Sequence, residues 1–189
     1  MAHFRTTTTT TTTNSFSLLL PLSLLLILSL NTLIEAQLPP FIGNGRKANA
    51  REFLTHHNKV RIGMQEPPLV WDRTIAKYAR RYAEHRRGDC QLIHSMGPYG
   101  ENIFWGGGLD WRPVDAVRSW IDEHQFYNKT ANACAPSKLC GHYTQVVWRE
   151  TTRLGCARVE CNTTAVFINC NYYPPGNYLG ESPFGRSHV

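Results

Sequence analysis

From Ala50 onward, apolar positions recur at the spacing of one helical face. In AREFLTHHNKVRIGM, Phe53, His57, Val60 and Met64 fall three or four residues apart, which predicts a helix that PPLVW then breaks. Asp72 is suited to cap a second helix, in which Ile75, Ala76, Ala79, Tyr82 and Ala83 make an apolar stripe. Arg73, Lys77, Arg80, Glu84 and Arg87 lie outside that stripe. A third helix is expected from Pro113, a residue suited to a first turn, with Ala116, Val117, Trp120, Ile121, His124 and Tyr127 on its buried face. Glu123 follows Trp120 by three residues and Ala116 by seven, so it falls on the same face, while Asp115, Arg118, Asp122 and Gln125 point away. A carboxylate aimed into an apolar stripe is costly unless paired, so Glu123 needs a partner from elsewhere in the chain.

After the loop from Asn128 to Gly141 the pattern changes. HYTQVVW reads as a short helix or strand, and CARVEC and AVFINCNYY as two strands joined by a turn at Asn162 to Thr164. Upstream, HSMGPYGENIFWG sets His94 and Glu101 seven residues apart in a Gly- and Pro-containing loop that leads into a strand-like NIFW. Helices and a sheet expected to be antiparallel are mixed without strict alternation, which is an α+β layered domain.

The first 36 residues stand apart from this pattern. SLLLPLSLLLILSL, Ser17 to Leu30, carries no charge and follows a weakly basic start, and Ile34-Glu35-Ala36 offers a cleavage site before Gln37, so residues 1–36 read as a secretory signal peptide. Residues 37–50 are then a flexible lead-in, with Pro39, Pro40, Gly43 and Gly45. All six cysteines lie beyond the leader, and an even count in an exported chain reads as three disulfides whose pairing the count leaves open. None has the CxxC spacing of a zinc ribbon or redox motif. Asn128 and Asn162 head glycosylation sequons, which have meaning only in the secretory pathway. The formal charge is +6, with basic residues gathered in RRYAEHRRGD, Arg80 to Asp89. Such a surplus suits an anionic wall or membrane, and its spacing also fits the solvated side of a helix.

GDCQLIHSMGPYGENIFWG, AVRSWIDE, GHYTQVVWR, LGCARVEC and FINCNYYPPGNYLG together resemble the CAP superfamily of cysteine-rich secretory proteins, antigen 5 and pathogenesis-related class 1 proteins, most closely the plant group. The resemblance covers about Phe53 to Phe184, and a CAP domain is set at 51–184. It implies a three-layer α-β-α sandwich, with disulfides Cys90–Cys161, Cys134–Cys140 and Cys156–Cys170. It also implies a polar cavity tetrad of His94, Glu101, Glu123 and His142, which would supply the partners that Glu123 requires.

What the resemblance implies about function is a secreted defence protein, extracellular in the apoplast or vacuolar. It would act on fungi or oomycetes by binding sterol or another lipid, and meet a pathogen membrane or cell wall. Phe126 and Tyr127, in the aromatic loop after the third helix, are candidate lipid contacts. No cofactor is required; His94 and His142 are candidate ligands for zinc or another divalent metal, since neutral imidazoles bind such ions and carboxylates orient them. Catalysis is not expected. Ser95 and Ser119 lie near the tetrad in sequence, yet no GxSxG elbow or HExxH helix accompanies them, which leaves a metal-dependent hydrolase as an alternative. A further alternative is a precursor that releases a signalling peptide, Pro174 to Phe184, from the tail 174–189. Tyr173 where an acidic residue is usual, Phe184 in place of a terminal tyrosine, and the extension GRSHV depart from that pattern. The expected protein is a monomer with no nucleic-acid partner.

Overall fold

A computed structural model describes residues 45–185. The leader, the first part of the lead-in and the last four residues of the tail lie outside the described residues. In chain order the elements are α1 (Gly45–Gly63), β1 (Val70–Trp71), α2 (Arg73–Arg86), β2 (Gly100–Gly107) and α3 (Pro113–Asp122). A 3-10 turn (Glu123–Phe126), β3 (Tyr127–Asn128), β4 (Ala133–Cys134), α4 (Gly141–Val146), β5 (Arg153–Cys161) and β6 (Ala165–Tyr173) follow.

The central sheet has the order β1-β5-β6-β2. β5 and β6 form an antiparallel hairpin about the expected turn, and β2 is antiparallel to β6. The short β1 runs parallel to β5, so the sheet is antiparallel only in its three long strands. Alternation along the strands gives each face its own core. Val166, Ile168, Cys170 and Tyr172 of β6 pack with Phe53 of α1, Ala116, Val117 and Trp120 of α3, and Tyr143, Val146 and Val147 in and beside α4. Ala165 and Phe167, with Ala157 and Val159 of β5, meet Ala79 and Ala83 of α2 on the other face. The result is the three-layer α-β-α sandwich. Gly155 permits the close approach of α2: a Cβ there would lie 2.2 Å from the backbone nitrogen of Ala76.

The second helix follows its pattern. Asp72 caps it by accepting from Thr74 N and Ile75 N, and Ile75, Ala76, Ala79 and Ala83 are buried. The first helix begins at Gly45, inside the segment 37–50 that reads as flexible, so residues 45–50 belong to the folded unit. The third helix ends sooner than expected. It stops at Asp122 and tightens into the 3-10 turn, a common way for a helix to finish. His124 is therefore exposed, its Nδ1 donating to Ile121 O, and Tyr127 is half-buried in β3.

The three disulfides pair as the resemblance implies: Cys90–Cys161, Cys134–Cys140 and Cys156–Cys170. Each contributes roughly 2 to 4 kcal/mol, mainly by restricting the unfolded chain.

Candidate functional site

The tetrad resolves into two His–Glu pairs. His94 Nδ1 donates to Glu101 Oε1 at 2.9 Å, and His142 Nδ1 donates to Glu123 Oε1 at 2.6 Å. Each pair is placed by different elements.

Glu101 is the second residue of β2, opposite Asn171 of β6. Its side chain is only 5% exposed, and it also accepts from Ser95 N at 2.8 Å and from Asn171 Nδ2 at 3.1 Å. Burial alone would push its carboxyl up, but the bonds from His94, Ser95 and Asn171 outweigh it and hold the group below its ordinary value. His94 is raised by its bond to Glu101, against the opposing effect of burial, and its side chain remains half exposed. The loop that carries it is held to α2 by Tyr78, whose hydroxyl donates to Ser95 Oγ, and by Tyr82, whose hydroxyl donates to Ile93 O.

Glu123 stands at the start of the 3-10 turn and reaches the N-terminus of α4. Besides the His142 ring, it receives His142 N–H at 2.9 Å and Tyr143 N–H at 3.2 Å on Oε2. One carboxylate thus caps the first turn of α4 and fixes the His142 tautomer. The partner that the sequence requires for Glu123 is His142, supplied by the first turn of α4, and Glu123 meets it from the 3-10 turn rather than from a continuous helical face. The Cys134–Cys140 disulfide ends one residue before α4, and the His142 ring stacks near Trp120 at 6.3 Å between centroids.

Glu101 and its neighbour Asn102 point to opposite sides of β2. Asn102 Nδ2 donates to His142 O at 3.0 Å and to the Tyr172 hydroxyl at 3.2 Å. That hydroxyl in turn meets His57 Nε2 at 2.8 Å, and His57 Nδ1 donates to Phe53 O at 2.8 Å. A buried polar chain therefore runs from α1 across the Tyr172 and Asn102 side chains on one face of the sheet to the backbone of His142. His57 is fully buried, which lowers its pKa to about 4 and keeps it neutral. Burial likewise holds the Tyr172 hydroxyl well above its ordinary value.

Zinc held by protein side chains takes three or more of them. Among the described residues no three His, Cys, Asp or Glu side chains are grouped to hold one ion. The serines do not assemble with the histidines either. Ser95 Oγ is bonded to Tyr78, and Ser119 Oγ donates to Ala116 O.

A separate pocket of about 340 Å³ lies beside α4. Tyr127, Trp148, Tyr178, Leu179 and Pro183 line it, with the Cys134–Cys140 disulfide at one side. Tyr127 thus reaches this pocket, whereas Phe126 lies under the Lys138 ammonium, 4.8 Å from its ring centroid, and does not. Both sequon asparagines are exposed, Asn162 at the tip of the β5–β6 hairpin.

Pattern reading missed several polar residues. Asn169 and Asn171 alternate on one face of an otherwise apolar strand, a signal present in FINCNYY, and Asn169 Oδ1 is a buried oxygen with no hydrogen-bond partner. Arg61 is fully buried and donates to Pro67 O, Val146 O, Trp148 O and Thr151 O; burial lowers its pKa to about 10. Its carbonyl partners in the α4 region are some 85 to 90 residues distant in sequence, so no local pattern announces them.

Residues 54–172 match the family model described as "CAP: Cysteine-rich secretory protein family". The chain is 49% identical to the pathogenesis-related protein PR-1 of Medicago truncatula over 83% of its own length and 94% of the relative's. It is 54% identical to the pathogenesis-related protein PRMS of Zea mays over 71% of its length and 81% of that protein. Among solved structures, Na-ASP-1 superposes with a TM-score of 0.62 at 27% identity, over 72% of this chain and 41% of that one. With motifs, fold and disulfides in agreement, this chain belongs to the CAP, or cysteine-rich secretory protein, family and is of the pathogenesis-related, defence type.

Proposed function

We propose that this protein is exported to the extracellular space and acts in defence by binding an apolar ligand, a sterol or related lipid of a fungus or oomycete, without catalysis. The observation that carries the reading is the pocket beside α4. Its lining combines Tyr127, Trp148, Tyr178, Leu179 and Pro183 with the polar Asn132, Thr144, Asn177 and Glu181, and apolar side chains stand exposed around it: Leu179 fully, Leu139 at 72% and Tyr178 at 52%. Apolar surface gathered at a concave mouth is the arrangement that a lipid covers with gain. Transfer of a lipid into such a site follows buried area and needs neither a nucleophile nor a proton transfer. The His–Glu pairs serve this reading as scaffold: Glu123 and His142 hold α4, which forms one wall.

The test is sterol binding by the purified, glycosylated protein. Leu179→Asp should weaken binding by about 1 to 2 kcal/mol, the scale of one partly buried leucine, while Glu101→Gln should bind as wild type. Growth inhibition should be stoichiometric and reversed by added sterol. Wild-type affinity in Leu179→Asp, or loss of binding in folded Glu101→Gln, would exclude this site.

A further inference from the structure

A groove of about 250 Å³ lies on the α2 side of the molecule, between the first turn of α1 and the outer flank of α2. Five cations line it: Arg46 and Lys47 from α1, and Arg73, Lys77 and Arg80 from α2. Four of the five are exposed and Arg80 is half-buried. None of them forms an ion pair with a carboxylate among the described residues, although six other arginines do. The nearby Asp72 makes its ion pair with Arg153 and not with any of these five, its other oxygen accepting from Thr74 N and Ile75 N. Arg46 and Lys47 also sit in the first turn of α1, which has no acidic residue, and cations there oppose the helix dipole. They are not placed to stabilise the helix.

Trp71 and Ala76 add an apolar part to the lining. Along α2, Arg73, Lys77 and Arg80 follow one flank at intervals of four and three residues, which at about 1.5 Å per residue spaces their attachment points about 6 and 4.5 Å apart along the axis. That is the scale at which a linear polymer with one carboxylate per sugar repeats its charge. We propose that this groove binds a linear acidic polysaccharide, a polyuronate, with carboxylates on the α1 and α2 cations and a sugar face against Trp71. The cations flank a concave surface whose aromatic ring is partly covered, so a single extended chain reaches the ring where a flat bilayer would touch only the rim. Three disulfides fit an oxidising, exported setting, where carboxylated polysaccharide rather than nucleic acid is the polyanion to be met. This site shares no residue with the sterol pocket, so each proposal can fail without the other.

The experiment uses the full secreted chain and fluorescently labelled oligogalacturonate, with the same oligomer fully methyl-esterified as the uncharged counterpart. Two double variants carry the same charge change: Lys77→Glu with Arg80→Glu in the groove, and Lys59→Glu with Arg118→Glu on exposed positions outside it. Wild type should bind the acid and not the ester, and affinity should fall as salt rises. The groove variant should lose about tenfold and the control about twofold or less, since charges at the contact act at short range while the rest are screened. Matching denaturation curves will establish that both variants are folded, and Lys77→Gln replaces the reversal if they differ. Equal weakening in the two variants would reduce the effect to net charge and overturn the proposal. So would equal binding of the ester, or groove-dependent binding of phosphatidylserine vesicles or a single-stranded oligonucleotide in the absence of polyuronate binding.

Discussion

Acidification from about pH 7 to pH 4 should cost the folded protein about 3 kcal/mol through His57 alone. The ring is fully buried, with Nδ1–H given to Phe53 O and Nε2 receiving the Tyr172 hydroxyl, so the folded state accepts a second ring proton only at about pH 4. In the unfolded chain the same group titrates near 6.5. Between those values the unfolded chain holds the extra proton and the folded one does not, so stability is fully present above pH 6.5 and is lost as pH falls toward 4. The gap between 6.5 and about 4, at about 1.36 kcal/mol for each pH unit, gives the stated cost. The assay is urea denaturation across this range for wild type and His57→Gln. Comparing the two slopes removes the shared contributions of Glu101, His94 and the other carboxylates. The variant is expected to be less stable at neutral pH, because the Tyr172 and Phe53 groups lose a partner, yet its stability should fall less on acidification. Parallel pH dependences in the two proteins would refute the reasoning, since they would mean that His57 protonates as easily in the fold as outside it.

Glu123→Ala should destabilise by roughly 1 to 3 kcal/mol relative to Asp122→Ala, because it strips acceptors from His142 N–H, Tyr143 N–H and the His142 ring, whereas Asp122 is exposed; denaturation midpoints check it. His94 is raised above 6.5 by Glu101, so its contribution is fully present below pH 6.5 and is lost as pH rises through the folded value. Its half exposure limits the effect to below about 1 kcal/mol, and proton NMR titration of wild type against Glu101→Gln should show the His94 pKa fall in the variant.

What the sequence disclosed depended on how local the cause was. Asp72 and the stripe of α2 were legible because a cap and a helical face are set within a few residues. The hairpin of β5 and β6 was legible for the same reason, its turn lying at Asn162 to Thr164 between two strand-like runs. The end of α3 was not, because no Gly or Pro marks it; Glu123 leaves the helix to reach α4, which begins 19 residues after Asp122. The start of α1 was hidden by Gly45, whose weak helical preference is overridden once the helix lies against the sheet and α3. Residue resemblance named the four members of the tetrad, but alternation along β2 decides that Glu101 and Asn102 work on opposite sides and that the four act as two pairs. Arg61 follows His57 by four residues and so shares its buried face, and only the tertiary fold supplies the carbonyls that receive its guanidinium.

The tail decides how the binding and peptide-precursor readings relate. Gly176 N donates to Gln145 Oε1, Thr144 Oγ1 to Asn177 Oδ1, Asn177 Nδ2 to Gly141 O, and Arg149 N to Pro183 O. Phe184 is 7% exposed and belongs to the same core cluster as Tyr143 and Trp120. Pro174 to Phe184 is therefore both the segment a precursor would release and a wall of the pocket that a lipid would fill. Removing it would forfeit about 1.5 to 3 kcal/mol for the phenylalanine and roughly 0.5 to 1.5 for each hydrogen bond. That total is comparable with the whole stability of a small domain, about 5 to 15 kcal/mol. One molecule cannot release the peptide and keep the pocket. Were a protease to cut after Tyr173, it would leave a weakened core without that pocket wall, so the binding and precursor readings exclude one another in a single molecule at a single time.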